Sequence, residues 1–246
     1  MSNFAVILAA AGRSTRFKDQ HYKKPFANLK KKAVWLHSAE MFLKRSDVKQ
    51  LVMVIAEDDR ESFTTKFGAN LAVMGIDLCI GGQERADSVR NGLEKLRDDI
   101  EFVAVHDAAR PCVTNDDVEK VFAAAEKNGA AILATPVNAT LKRAGKDQLV
   151  DETVDRANMW QALTPQVFKR DVLVDAYANL GTAKPTDEAQ AVELVGHKVA
   201  LVEGSPLNIK ITSKADLRLA AACIDARPSV KFDAPLGNLA DDTFWA

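Results

Sequence analysis

The sequence is short of cysteine, of glycine and proline, of net charge and of long apolar runs. Its three cysteines, Cys79, Cys112 and Cys223, are odd in number and widely spaced. None belongs to a CxxC motif or faces a histidine-rich segment, which argues against a disulfide framework and a zinc site and suits a reducing, cytoplasmic compartment. Twelve glycines and eight prolines among 246 residues fall below average usage, excluding collagen-like and low-complexity chains. Lys and Arg number 33 against 34 Asp and Glu, a net charge of −1, so there is no global field for coating a nucleic acid or an anionic membrane. The early apolar run from Phe4 to Ala11 has no basic segment before it and falls far short of the roughly 20 residues of a membrane span.

What is present is α/β patterning. Apolar runs at Phe4–Ala10, Leu51–Ala56, Ile76–Ile80, Phe102–His106, Ala130–Val137 and Lys198–Glu203 are continuous rather than alternating, as expected of strands buried on both faces of a mostly parallel sheet. Amphipathic segments lie between them. Ala86, Val89, Leu93 and Leu96 recur at helical spacing over Glu84–Leu96, and Thr114 with Asp117 and Ser213 with Asp216 have the form of capping boxes. Residues 138–155 break the pattern: Thr140–Arg143 and Leu149–Val154 flank a Gly-Lys-Asp turn, predicting a two-stranded ribbon. Such a ribbon is marginal alone, so it is either a protruding arm that packs on a second subunit or an ordinary sheet edge. We expect one domain over residues 1–227 and a tail over 228–246.

The chemistry concentrates at strand ends. The first run enters Ala10-Ala11-Gly12 and then, from Arg13 to Lys32, eight basic residues against one acidic. Small residues after a first strand let a phosphate approach the backbone, so the segment reads as a local anion site, with a solvated charge run as the bland alternative. Neither GxGxxG opening a helix nor GxxxxGK[ST] occurs, which weakens dehydrogenase and P-loop readings. Instead Gly81-Gly82-Gln83-Glu84-Arg85 leads into a helix bearing Asp87 and Ser88, and its amides suit a base edge, though a plain strand-to-helix turn has the same form. Asp107, in Val105-His106-Asp107-Ala108-Ala109-Arg110-Pro111, ends another strand. One carboxylate beside phosphates suffices for Mg²⁺; its bland role is to cap the following loop. His106 is read as a packed strand-end residue without a catalytic role. Thr140, Arg156, Thr164, Thr186 and Lys210 are unspecific in isolation; Thr186 alone reads as a helix cap and Lys210 as a surface lysine.

Taken in order, LAAAGRSTRF, GGQERADSV, VHDAARP, TVDR, ALTPQ, TDEA and VEGSPLNIKIT resemble the 2-C-methyl-D-erythritol 4-phosphate cytidylyltransferase family over Phe4–Asp225. That resemblance implies a Rossmann-like nucleotidyltransferase fold with a protruding hairpin arm, a homodimer formed through the arm, CTP as co-substrate and Mg²⁺ or another divalent cation. It also implies transfer of CMP to methylerythritol phosphate, with no nucleic-acid or membrane partner. By the same resemblance Arg16 and Lys24 match transition-state-stabilising residues, and Arg156 and Lys210 match the pair that positions the acceptor phosphate. Ala10, Ala11, Gly12, Gly82, Gln83 and Ser88 match the nucleotide side. Asp107 matches the residue near metal and substrate, and Arg110, Thr140, Thr164 and Thr186 match the remaining acceptor contacts. Thr140 and Arg156 are expected from the other chain. Gln83 stands where many members have aspartate and Ser14 where a glycine is frequent; Lys24, followed by Pro25-Phe26, is preferred over Lys23 as the family lysine. Ribitol 5-phosphate cytidylyltransferases are the nearest alternative, from which Ala10-Ala11, Ala86-Asp87-Ser88, Ala109, Lys142-Arg143-Ala144 and Glu188 separate this chain. A non-catalytic nucleotide sensor is the alternative of another class, against which the joint presence of Arg16, Lys24, Asp107 and Lys210 argues.

Overall fold

The computed structural model describes residues 2–12 and 24–227, with Lys24 described in its backbone alone. Arg16, Lys23 and the tail 228–246 lie outside the described residues. The first half of the chain carries β1 (Phe4–Ala9), the short pair β2 (Asn28–Leu29) and β3 (Lys32–Ala33), α1 (Val34–Leu43), β4 (Val48–Ile55), α2 (Arg60–Met74), β5 (Asp77–Ile80), α3 (Arg85–Leu93) and β6 (Phe102–Asp107). The second half carries α4 (Asn115–Asn128), β7 (Ala130–Pro136), β8 (Leu141–Ala144), β9 (Val150–Val154), β10 (Trp160–Lys169), α5 (Arg170–Ala178), α6 (Glu188–Leu194), β11 (Ala200–Glu203) and α7 (Lys214–Asp225).

Seven strands form one sheet in the order β11-β7-β10-β6-β1-β4-β5. β1 pairs parallel with β4 and β6, and β4 with β5, whereas β10 runs antiparallel to both β6 and β7. The sheet is therefore mixed and mostly parallel. Strand alternation divides the core: Phe4, Val6 and Leu8 face Trp35, Phe42 and Phe63, while Ala5 and Ile7 face Val89 and Leu93 across the other face. Burial on both sides explains why these strands are continuously apolar. Gly92 lets α3 press against β1, since a Cβ there would stand 3.1 Å from Ile7 Cγ2. A third cluster packs Cys112, Cys223, Ala220 and Ile211 beneath β2 and its neighbour Ala27. All three cysteines are free and buried.

The predicted strands are found with ends moved by one to three residues, and the ribbon is β8–β9. It is a separate two-stranded sheet, not an edge of the main one. Both capping boxes form: Thr114 Oγ1 accepts from Asp117 N at 3.1 Å while Asp117 accepts from Thr114 N at 3.3 Å, and Asp216 accepts from Ser213 N at 2.8 Å. β10 was not expected. Its first three residues are exposed and its register against β7 breaks between Ala162 and Gln166, so neither periodicity nor a clean apolar run announces it.

Candidate functional site

The carboxyl ends of β1, β5 and β6 open on one cleft of about 450 Å³, lined by Ala9–Gly12, Pro25, Gly82–Arg85, Ser88, Asp107, Ala109 and Lys210. Crevices outside the carboxyl ends of an open sheet are where such folds bind ligands. Local hydrogen bonds set its walls. Ala10 N donates to Val54 O and Gly81 N to Ile55 O, both at 2.8 Å, and Ala108 N donates to Ala9 O at 3.1 Å. The Ala10 amide is thus committed to the sheet. Gly81 is forced by space: a Cβ would lie 2.6 Å from Ser88 Oγ and 2.8 Å from Ala11 Cβ. Ser88 lines the cleft, but its hydroxyl is held locally, accepting from Gly82 N at 3.2 Å and donating to Glu84 O at 3.0 Å. Gln83 is exposed at the rim.

Asp107 is the hub. Its Oδ1 accepts from Arg85 Nη1 at 2.9 Å, and its Oδ2 pairs with Lys210 Nζ at 2.7 Å and lies 3.6 Å from Arg110 Nε. Burial pushes this carboxyl up, but Arg85, then Lys210 and Arg110, outweigh it and hold it well below the usual carboxylate range. Lys210 is brought in by the pairing of Ile211 N with Ala109 O at 2.9 Å, so an ordinary surface lysine by sequence becomes a cleft residue. Arg110 is set by donation from Nη1 to Asn208 O at 2.8 Å, and burial lowers its pKa.

Behind Asp107 lies a polar relay. Arg110 O, which can only accept, lies 3.1 Å from His106 Nε2 and assigns the proton of the neutral ring to that nitrogen, so Nδ1 accepts from the Thr164 hydroxyl at 3.1 Å while Thr164 Oγ1 accepts from Asp107 N at 3.1 Å. His106 is neutral: burial drives its pKa down to about 4 against the partial pull of Asp107. Thr164 is buried behind the strand end, its hydroxyl engaged by the Asp107 amide and the His106 ring, and it does not line the cleft. Thr186 is exposed and its hydroxyl donates to Gln190 Oε1 at 3.2 Å, while the cap of α6 is Asp187, accepting from Gln190 N at 2.9 Å. Thr140 and Arg156 are exposed together at the open end of the ribbon, beside the Leu141–Val154 pair, and do not line the cleft. Arg16 and the Lys24 side chain are outside the described residues.

Sequence reasoning left Arg85 without a role and used Glu188 only as a family marker, although GGQERADSV and TDEA contain them. Arg85 Nη2 reaches Glu188 Oε2 at 2.6 Å; the partners are 103 residues apart, and no spacing rule links them. Among the described residues no group of three His, Cys, Asp or Glu side chains could enclose a metal. Asp107 is an ionised hard-oxygen donor of the kind that suits a cation taking its other ligands from phosphates and water, but Arg85 holds its Oδ1 and Lys210 its Oδ2, so such a cation would share an oxygen with one of them. No helix of the described residues is long and apolar enough to cross a membrane.

The family model described as 2-C-methyl-D-erythritol 4-phosphate cytidylyltransferase matches residues 4–226. A protein of that name from Rhodopirellula baltica is 43% identical over 235 residues, which cover 91% of this chain and 96% of the relative. Another from Tolumonas auensis is 41% identical over 225 residues, 90% of this chain and 96% of the relative. The crystal structure of 4-diphosphocytidyl-2C-methyl-D-erythritol synthase from Anaerococcus prevotii superposes with a TM-score of 0.76 at 26% identity, covering 91% of this chain and 99% of that one. The crystal structure of 2-C-methyl-D-erythritol 4-phosphate cytidylyltransferase from Thermus thermophilus gives 0.73 at 29% identity, with 92% and 100% covered.

Proposed function

The chain belongs to the 2-C-methyl-D-erythritol 4-phosphate cytidylyltransferase family, and from that premise we propose that it transfers CMP from CTP to 2-C-methyl-D-erythritol 4-phosphate, releasing pyrophosphate, in isoprenoid biosynthesis. The observation that carries this reading is the cluster in which Asp107 gathers Arg85, Lys210 and Arg110 beneath two small-residue loops. The acceptor's phosphate oxygen attacks the α-phosphorus in line and pyrophosphate departs. A phosphate monoester is already ionised near pH 7, so no general base is required, in keeping with a neutral, buried His106.

The chain's part is positioning and charge neutralisation. Lys210 stands at the cleft wall to meet phosphate oxygens, and Arg16 and Lys24, by their motifs, supply further positive charge around the phosphorus. Ala10, Ala11, Gly12, Gly82, Gln83 and Ser88 hold the nucleotide, while Asp107, Arg110, Thr164 and Thr186 form the acceptor side. Asp107 would hold a divalent cation shared with the phosphates. Such a cation, when bound, neutralises phosphate charge and orients the leaving pyrophosphate. The ribbon's exposure, with Thr140 and Arg156 together at its open end, supports a homodimer in which each arm completes the partner's acceptor side. The buried free cysteines and the lack of a membrane-spanning helix among the described residues are consistent with a cytoplasmic enzyme.

The test is pyrophosphate release from CTP and Mg²⁺ in parallel with methylerythritol 4-phosphate and with ribitol 5-phosphate. Release with the first alone is the expected outcome. Release with the second alone would keep the nucleotide side and overturn the acceptor, and silence with both would favour a nucleotide sensor.

A further inference from the structure

Glu188 is 1% exposed and heads α6, an ionisable side chain set beside the cleft rather than on the surface, where burial pushes its carboxyl up against the opposing pull of Arg85. Burying a carboxylate and a guanidinium together is poor evidence of stabilisation, because the desolvation of both ions offsets most of their attraction. Such a pair is better explained by what it holds in place. Its geometry is specific. Arg85 divides one planar fork between two carboxylates, Nη2 to Glu188 Oε2 at 2.6 Å and Nη1 to Asp107 Oδ1 at 2.9 Å, while Tyr177 donates its hydroxyl to Glu188 Oε1 at 3.3 Å.

The fork is rigid, so anchoring one arm dictates the other. With Oδ1 of Asp107 taken by Arg85, Oδ2 is the oxygen turned to Lys210. Arg85 is also the first residue of α3, directly after the glycine loop, whereas Glu188 follows the loop bearing Thr186. One side chain thus ties the nucleotide loop, the Asp107 strand end and the Thr186 loop together.

We propose that Arg85 and Glu188 form a positioning pair for the acceptor half of the site, holding Asp107 and the Thr186 loop in the arrangement that recognises the polyol phosphate while leaving nucleotide binding untouched. The inference rests on the proposed reaction and adds to it which residues set acceptor recognition. Glu188 does not line the cleft, and Arg85 holds Asp107 through its guanidinium. Lysine at position 85 cannot replace the arginine, because a single ammonium does not bridge two carboxylates in a fixed plane.

The experiment measures kcat and the separate KM values for CTP and methylerythritol 4-phosphate in the full chain, with wild type, Glu188→Gln, Arg85→Lys and Tyr177→Phe side by side. Direct titration with CTP alone accompanies them. The expected result is an acceptor KM raised roughly tenfold or more in Glu188→Gln and Arg85→Lys, with CTP KM and CTP Kd within twofold of wild type in Glu188→Gln, whose side chain does not line the cleft. Tyr177→Phe, which removes one hydrogen bond and keeps the ring, should raise the acceptor KM about threefold and spares the test if the other variants do not fold. Equal losses for CTP and acceptor would assign the pair a merely structural role and overturn the proposal. An unchanged acceptor KM alongside an active wild type would overturn it as well, leaving the reaction intact. A wild type silent with this acceptor overturns the reaction itself, and the pair's role with it.

Discussion

Two arginine–glutamate pairs, one at the cleft and one on the ribbon, use the same chemistry in opposite surroundings. Arg85 and Glu188 leave 30% and 1% of their side chains exposed; Arg143 and Glu152, paired across β8 and β9, leave 67% and 50%. In the cleft the groups are fixed by further partners and held in a low dielectric, so each charge constrains its neighbours. On the ribbon the same groups are free to exchange their pairing for water, and their attraction is screened. The lesson is that the sheet end is a preorganised electrostatic site within one chain. The ribbon instead leaves Thr140 and Arg156 exposed and away from the cleft lining.

The largest effect should come from removing a cleft charge. Lys210→Ala should lower kcat by roughly 100- to 1,000-fold, as for loss of one transition-state charge donor, with CTP KM changed far less; steady-state kinetics decides, and an unaltered kcat would sink the lysine's role. The comparison is sharpened by mixing. If the ribbon serves the neighbouring subunit, Arg156→Ala and Lys210→Ala chains, each weakly active alone, should regain about a quarter of wild-type activity when refolded together, because half of randomly formed dimers carry one intact site. A mixture no better than its parts would return Arg156 to its own chain.

Acid should break the cleft side before the ribbon. The fold holds His106 neutral with a pKa of about 4, below its ordinary 6.5, so the unfolded chain binds the proton first as pH falls. The contribution is complete above pH 6.5 and is lost between 6.5 and 4, amounting to about 3 kcal/mol. Thermal melts across this range should show a steeper fall in Tm for wild type than for His106→Gln, and parallel curves would contradict the assignment. The smallest effect belongs to the ribbon pair: Glu152→Ala should change stability by no more than about 0.5 kcal/mol, and a denaturant melt showing a larger loss would mean that the ribbon is buried against something.

Much of this architecture is legible in particular residues. The runs ending at Ala10, Ile80 and His106 mark where strands stop, and in an open sheet those stops are where a ligand sits, so three walls of the cleft follow from local pattern. Thr114–Asp117 and Ser213–Asp216 mark helix starts because a capping box is satisfied within four residues. β10 was illegible because Trp160–Ala162 are exposed and Pro165 interrupts the run, so its burial comes only from lying between β6 and β7. Thr164 was legible as part of a motif, but not as a residue behind Asp107. Thr186 resembled a cap, and the cap is Asp187.

The amino-acid order alone determined the strands buried on both faces, the helix starts, the ribbon, the family and the candidate residues, because each rests on hydrophobic period, local hydrogen bonding or motif order within a short stretch of chain. Only the tertiary structure decided that β10 enters the sheet in reverse, that Lys210 pairs with Asp107, and that Arg85 divides its fork between Asp107 and Glu188. These contacts join residues about 20 to more than 100 positions apart, and their energies depend on burial and orientation, which exist only once the sheet has closed around them.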